Sequence, residues 1–482
     1  MMLCWPVRRA SLGLVFLLMT GCGSGQDRGG VPADGARPNI ILITIESLRA
    51  DHVGAYGYQR DTTPALDALS AEAVTFDRAY SVTSWTLPSH ASIFTGMYPT
   101  AHQVQKPFDR LDGSYQTLAE LLQRGGYQTA GIVSGPFLRA THNLNQGFEI
   151  YDESAIEGTS FAASHETVTN PRVEERVKNY LTKGRDPERP FFLFIYLWDP
   201  HYDYIPPPPY DQMFVPASAE KTDVRHYESP GADHKILPEA QLQYVISQYD
   251  GEIRWTDELL GRLWYLLREL DLWDRTGIIA TSDHGEEFFE HGVKGHKNNL
   301  YVQSLHVPLI VKAAGSEAPR RDARVVNLID LYPTLLAMAG QAVPASNQGS
   351  SLLAPAAEPP PPVFFELEKT SFYPEAAGDA VREDTESWLA AIDGDYKMVA
   401  RSTERRPELF DLANDPEELH PLGGGYLEKA LDLSHKIKAH QVEMIAIAAG
   451  FGKEGPAELT PDQIERLRAL GYVGPKQDPA GP

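Results

Sequence analysis

The chain has almost no cysteine: two in 482 residues, Cys4 and Cys22, both near the N-terminus. Beyond Cys22 there is no disulfide, no thiolate metal site and no cysteine nucleophile. Basic residues are also scarce, 43 Lys and Arg against 66 Asp and Glu, for a formal net charge of −23. A surface of that sign repels long polyanions, so nucleic acid is excluded as a partner. Long apolar runs are missing as well. The stretch from Leu12 to Met19 falls short of the roughly 20 residues that span a bilayer.

That short stretch has a use of its own. It follows Arg8-Arg9 and precedes Thr20-Gly21-Cys22, which gives the three regions of a secretory signal. The end resembles a bacterial lipobox, so removal of residues 1–21 and lipidation of Cys22 are expected. Residues 22–37, rich in Gly and polar side chains, read as a flexible tether between the lipid and the fold. No Asp follows Cys22. The expectation is an exported protein, lipid-anchored to the cell envelope at the outer membrane or the periplasmic face, with the membrane as a partner only through that lipid.

From Pro38 the pattern alternates. NIILITI (39–45) and FFLFIYLW (191–198) are strands apolar on both faces, and shorter ones follow at 129–133, 277–281 and 307–311. Helices are expected at 63–73, with Thr63 as N-cap and Pro64 in the first turn, and at 117–124, 239–270 and 330–339. Alternation of this kind predicts an α/β fold, a large mostly parallel sheet flanked by helices, over 38–345. A Pro-rich linker at 346–362, a small C-terminal α+β sheet subdomain at 363–425 and a helical tail at 426–482 complete the division. The segment 203–236 is expected to carry substrate choice.

Ligands of parallel sheets bind beyond the carboxyl ends of the strands, and three polar segments stand there. Glu46 follows NIILITI, Asp283-His284 follows GIIATS, and Asp199-Pro200-His201 follows FFLFIYLW. Glu46, Asp283 and His284 are two carboxylates and an imidazole, a set that suits one divalent ion such as Ca, Mn or Zn. Thr86, just ahead of a helix start at Pro88-Ser89, is the candidate nucleophile or simply an N-cap. His296 is placed to reach the leaving group or a second metal, whereas His291 and His306 read as surface or packing residues. Tyr202 and Tyr204 read as structural loop residues.

PNIILITIESLRADHVGAYGY, then TTPALDALSAEAVTFDRAYS and TLPSHASIFTGMYP, resemble the N-terminal signature of sulfatases, in the alkaline-phosphatase superfamily. There the segment matching Thr86 to His90 reads Cys or Ser, any residue, Pro, Ser, Arg. WDPH, SDHGEEF, GHKNNLYVQSLHVPLIV, DLYPTLLAMAG and ELFDLANDPEE extend the resemblance to about Glu418. It implies an alkaline-phosphatase-like fold, with Glu46, Thr86, Asp283 and His284 at the metal. It also implies Lys297 and His201 at the leaving oxygen, both also binding substrate, and Thr86 at the formylglycine position. His90, where the motif has Arg, becomes a substrate-binding candidate.

Formylglycine is made from Cys or Ser, so none is expected here. The set Glu46, Thr86, Asp283 and His284 also resembles phosphoethanolamine and glycerol-phosphate transferases, in which Thr attacks directly. Three readings follow. The first is a metal-dependent hydrolase of sulfate esters, with a small-molecule or glycan substrate. The second is a phosphodiesterase, phosphatase or phosphotransferase working through phospho-Thr86. The third is a catalytically inactive, lipid-tethered binding module on the same fold.

Overall fold

The computed structural model describes residues 37–156, 169–201, 204–223, 235–315, 318–374 and 381–469. The expected signal, the expected lipidation site Cys22, the expected tether apart from Arg37, residues 202–203 and residues 224–234 lie outside them.

The strands of the main sheet are β1 (Asn39–Ile45), β2 (Val74–Tyr80), β3 (Gln128–Val133), β4 (Ile150–Asp152), β5 (Phe191–Leu197) and β6 (Thr276–Ser282). After a two-stranded ribbon, β7 (Glu287–Phe288) and β8 (Lys294–Gly295), come β9 (Leu309–Lys312) and β10 (Arg320–Asn327). The order across the sheet is β10-β2-β9-β6-β1-β5-β3-β4. Every strand is parallel to the rest except β9, which runs antiparallel to both β2 and β6. The central strands are covered on both faces, and Ile40 to Ile43 and Phe191 to Leu197 are wholly buried. This is why those runs are apolar at every position rather than at alternate ones. The flanking helices fall into two groups in mutual contact. Pro64–Ser70, Asn170–Asn179 and Glu239–Glu269 form one, and Thr86–Thr95, Leu118–Arg124 and Leu331–Met338 the other.

The α/β expectation holds, with local corrections. Thr63 flanks the helix Pro64–Ser70 but caps it with no side-chain hydrogen bond. Its hydroxyl serves Gly54 N at 2.8 Å, and the free N–H groups of Ala65 and Leu66 go instead to Asp257, at 2.7 and 2.9 Å. The cap comes from a residue remote in sequence. Thr86 is likewise no N-cap. It is the first residue of the helix Thr86–Thr95, capped by Trp85.

Beyond the Pro-rich stretch, one face of a small sheet joins the main core and Ala391, Met398, Leu409, Leu433 and Ile437 form a cluster of their own. β11 (Val363–Pro374), β12 (Val381–Asp393), β13 (Tyr396–Arg401) and β14 (Glu408–Asp411) form an antiparallel meander. Phe365, Leu367 and Trp388 belong to the same apolar cluster as β1 and β5. Beyond the meander lie the helices Leu427–Ala448 and Pro461–Ala469. His440, on the first, meets Glu366 at 2.7 Å.

Candidate active site

Strand register builds the site. Ile45 pairs with Leu197 on one side and with Ser282 on the other. The next residues, Glu46, Trp198 and Asp283, therefore leave the sheet at one level. Ser47 follows with φ of 47°, a left-handed turn that a serine adopts at a cost. Three hydrogen bonds hold it there: its N–H to Asp283 Oδ1 (3.2 Å), its hydroxyl to Pro200 O (2.8 Å), and Tyr249 OH to its carbonyl (2.7 Å). Gly285 has no room for a side chain, since a Cβ would lie 1.9 Å from Gln303 O. That close approach lets the chain turn directly after His284.

Glu46, Thr86, Asp283 and His284 are all fully buried, and they converge. The Thr86 hydroxyl donates to Glu46 Oε2 at 3.2 Å and lies 3.4 Å from His284 Nε2. His284 Nδ1 faces the Gly285 carbonyl at 2.9 Å, so Nδ1 carries the proton and Nε2 presents a lone pair. Yet Nε2 faces Glu46 Oε1 at 3.0 Å and Asp283 Oδ2 at 3.6 Å, and neither oxygen accepts a hydrogen bond. Three lone pairs pointed at one another in a dry site repel unless a proton or a metal cation lies among them. Burial pushes Glu46 up to about 8, against its hydrogen bond from Tyr196, and Asp283 well above the usual carboxylate range. Among the described residues no Lys or Arg is paired with either acid, and two carboxylates, an imidazole and a hydroxyl fit a divalent ion.

The other expected residues divide. His201, buried, stacks on Trp198 with ring centroids 3.8 Å apart and meets His296 edge-on at 5.3 Å. His296 lies 4.5 Å from the His284 ring. Lys297 is tied to the Thr86 loop by its own N–H, 2.8 Å from Ser84 O, and its amine lies over the Trp85 ring at 4.5 Å. Burial, helped by the charge of Lys369, pushes that amine down to about 7, near the pKa of a useful proton donor. His90 requires a correction. It is fully buried, Nδ1 faces Thr86 O and Nε2 faces the Thr44 hydroxyl, both at 2.9 Å. Both ring nitrogens are spent inside the protein, so His90 buttresses the helix that carries Thr86 and does not offer itself to substrate.

Two functional residues escaped the sequence reading. Tyr196 donates its hydroxyl to Glu46 Oε2; the signal for it was a lone polar atom near the end of an otherwise apolar strand. Glu286 sits behind His296, with Oε1 3.2 Å from Nδ1, and Tyr204 OH donates to its Oε2 at 2.8 Å. Tyr204 is thus a structural residue, as expected. His291 is too, 3.2 Å from Glu287 and stacked on Tyr301, and His306 holds Asp77 O at 3.0 Å.

The chain is similar to bovine (Bos taurus) arylsulfatase K, 26% identical over 464 residues that cover 86% of this chain and 84% of that one. It is equally similar, at 26% identity, to a multifunctional alkaline phosphatase superfamily protein of Trinickia caryophylli, covering 83% of this chain and 96% of the other. Among solved structures, the phosphonate monoester hydrolase of Agrobacterium radiobacter superposes with a TM-score of 0.67 at 22% identity, over 85% of this chain and 96% of that one. A protein solved with its substrate D-glucosamine-2-N,6-O-disulfate gives 0.67 at 21% identity, over 85% and 98%. Residues 290–444 match the family model for the C-terminal region of N-sulphoglucosamine sulphohydrolase. Residues 38–341 match the sulfatase model, and the chain belongs to the sulfatase family.

Proposed function

We propose that this sulfatase-family enzyme hydrolyses phosphate esters, with Thr86 as the attacking group at a divalent-cation site made by Glu46, Asp283 and His284. The observation that carries the proposal is the placement of the Thr86 hydroxyl, fully buried, 3.2 Å from Glu46 and 3.4 Å from His284 Nε2. Glu46, Asp283 and His284 would hold the cation, which would supply Lewis-acid polarisation of the ester and favour loss of the Thr86 proton.

The chain's own residues account for the rest. The Thr86 hydroxyl loses its proton to solvent, its oxygen forms a bond to phosphorus as the bond to the leaving alcohol breaks, and Lys297 or His201 gives a proton to the leaving oxygen and recovers one from the water of the next step. Water then attacks the phosphorus of phospho-Thr86, which restores the hydroxyl and releases inorganic phosphate. Phosphorus suits a threonine because its ester is released by attack at the central atom. A sulfated threonine lacks the second hydroxyl through which an aldehyde hydrate expels sulfate.

A second reading, hydrolysis of sulfate esters, is favoured by the family match over 38–341 and by the likeness to arylsulfatase K. The two separate in one assay of the purified chain, supplied with Zn, Mn or Ca, on aryl sulfate, aryl phosphate and aryl phosphodiester, with Thr86→Ala as control. Phosphoester turnover lost in Thr86→Ala supports the proposal. Turnover of sulfate alone replaces it with the second reading, and no turnover on any of the three leaves a binding module. The N-terminal residues Arg8 to Cys22 support export and lipid anchoring, and Cys22→Ala should then move the protein from the membrane fraction to the soluble one.

A further inference from the structure

Lys297 has a φ of 63°, a left-handed value that a residue with a side chain adopts at a cost and keeps only where its surroundings impose it. Here the carboxylate of Glu287, fully buried, imposes it. Glu287 pairs with Gly295 in the β7–β8 ribbon, just before Lys297. Its Oε1 accepts from Asn299 Nδ2 at 3.0 Å, just after Lys297. One residue thus holds the backbone on both sides of the proposed proton donor.

His291 fixes that carboxylate in turn. Its Nδ1 faces Glu287 Oε1 at 3.2 Å and its Nε2 faces the Glu418 carbonyl at 3.1 Å. A carboxylate and a carbonyl only accept, so both ring nitrogens carry protons and the ring is an imidazolium. Burial opposes that charge, but the hydrogen bond to Glu287 and its negative charge outweigh burial and raise the imidazole above its ordinary value. Glu418, beyond β14, is itself anchored: its Oε2 accepts from Lys397 Nζ on β13 at 2.8 Å and from Val302 N at 2.5 Å. Lys397 and Glu418 are both buried. Among the described residues, the charged groups around His291 are Glu287 from its own ribbon and Glu418, with its partner Lys397, from the C-terminal side. Tyr301, stacked on the ring at 3.8 Å, gives its hydroxyl to Glu408.

We propose that His291 is a positioning residue: as an imidazolium that bridges Glu287 to the Glu418 carbonyl, it lets the C-terminal meander hold Lys297 at the leaving oxygen. The inference rests on reading Lys297 as the proton donor of a phosphoester hydrolase. Loss of the proton on Nε2 leaves that nitrogen and the Glu418 carbonyl as two lone pairs face to face, and the ribbon is untied from the meander. Lys297 then relaxes from its left-handed backbone. Esters with poor leaving groups suffer most, because their leaving oxygen needs the proton.

The test compares the full chain with His291→Gln and with His291→Arg, which keeps a cation on a planar group that can stack. The first readout is amide hydrogen exchange. In mildly acidic buffer, peptides over 287–302 should exchange about 10-fold or more faster in His291→Gln, with β1 and β5 unchanged and His291→Arg as slow as the parent. As pH rises through the imidazole's pKa, the parent should lose protection relative to His291→Arg, a comparison that stands even if His291→Gln fails to fold. The second readout is turnover of aryl phosphates whose phenols differ in acidity. His291→Gln should lose about 10²-fold on esters of weakly acidic phenols and little on nitrophenyl phosphate, with His291→Arg restoring the loss; a merely structural role lowers every ester alike. Unchanged exchange over 287–302, no divergence of parent and His291→Arg with pH, or an equal loss on every ester overturns the proposal. Faster exchange in His291→Gln without phosphoester turnover in the parent supports the tie and overturns the phosphoester reading instead.

Discussion

Two buried acidic centres, Asp250 and the pair Glu46 and Asp283, are built on opposite principles. Asp250 is fully buried, but Arg60 meets its Oδ2 at 2.6 Å, Tyr58 OH donates to the same oxygen at 2.6 Å, and His52 Nδ1 meets Oδ1 at 2.7 Å. Its charge is matched by the chain itself. Glu46 and Asp283 are as deeply buried, yet they turn two oxygens toward the lone-pair nitrogen of His284. A folded protein keeps acids of the first kind for stability. Acids of the second kind lower the stability of the cation-free fold and raise the affinity for a cation. The difference marks Glu46 and Asp283 as the candidate cation site.

Breaking each centre should sharpen that contrast. The largest effect is expected of Thr86→Ala, a loss of at least about 10³-fold in kcat with bound metal and thermal midpoint retained, read by steady-state kinetics alongside metal analysis. Next come the acids themselves. Asp250→Asn should cost about 2–4 kcal/mol in urea unfolding whether or not metal is present. Asp283→Asn should cost nothing in the chelated protein and abolish stabilisation by added cation, which in the parent chain reaches about 2.7 kcal/mol at a hundredfold excess over Kd.

Tyr196→Phe removes one hydrogen bond from Glu46 and should weaken the metal about tenfold, seen by titration, with little change in unfolding. The smallest effect concerns Asp257, which burial pushes up to about 7 although it caps the helix Pro64–Ser70. Its folded pKa is raised, so its contribution to stability is full in acid and is lost as pH rises through about 7. Asp257→Asn should flatten the dependence of the urea midpoint on pH between about 4 and 7.

The central strands and the convergence of the candidate ligands were legible because one physical rule places them. A strand buried on both faces is apolar at every position, and its first polar successor is a site candidate. That rule found Glu46, Asp283 and His284. It could not reveal that β9 is antiparallel, since direction leaves no mark on composition. It also passed over β2, β10 and β12, whose VTFDRAY, RRDARVVN and VREDTESWLAAID carry too much charge to read as buried strands. Side chains that act from inside an element were harder still. Tyr196 was hidden in an apolar run, and His90 looked like a substrate contact until its partners Thr44 and Thr86 O were seen. The cap supplied by Asp257 to Ala65 and Leu66 spans too much sequence for any local pattern to show.

The most direct test of the account is the fate of Thr86 during turnover. The metal-loaded chain is mixed with an aryl phosphate, quenched in acid within milliseconds and digested, and the peptide containing Thr86 is weighed. The account predicts a phosphoryl group on Thr86 that appears and disappears at rates no slower than turnover. Phosphoester turnover with Thr86 never modified, or undiminished in Thr86→Ala, would contradict it.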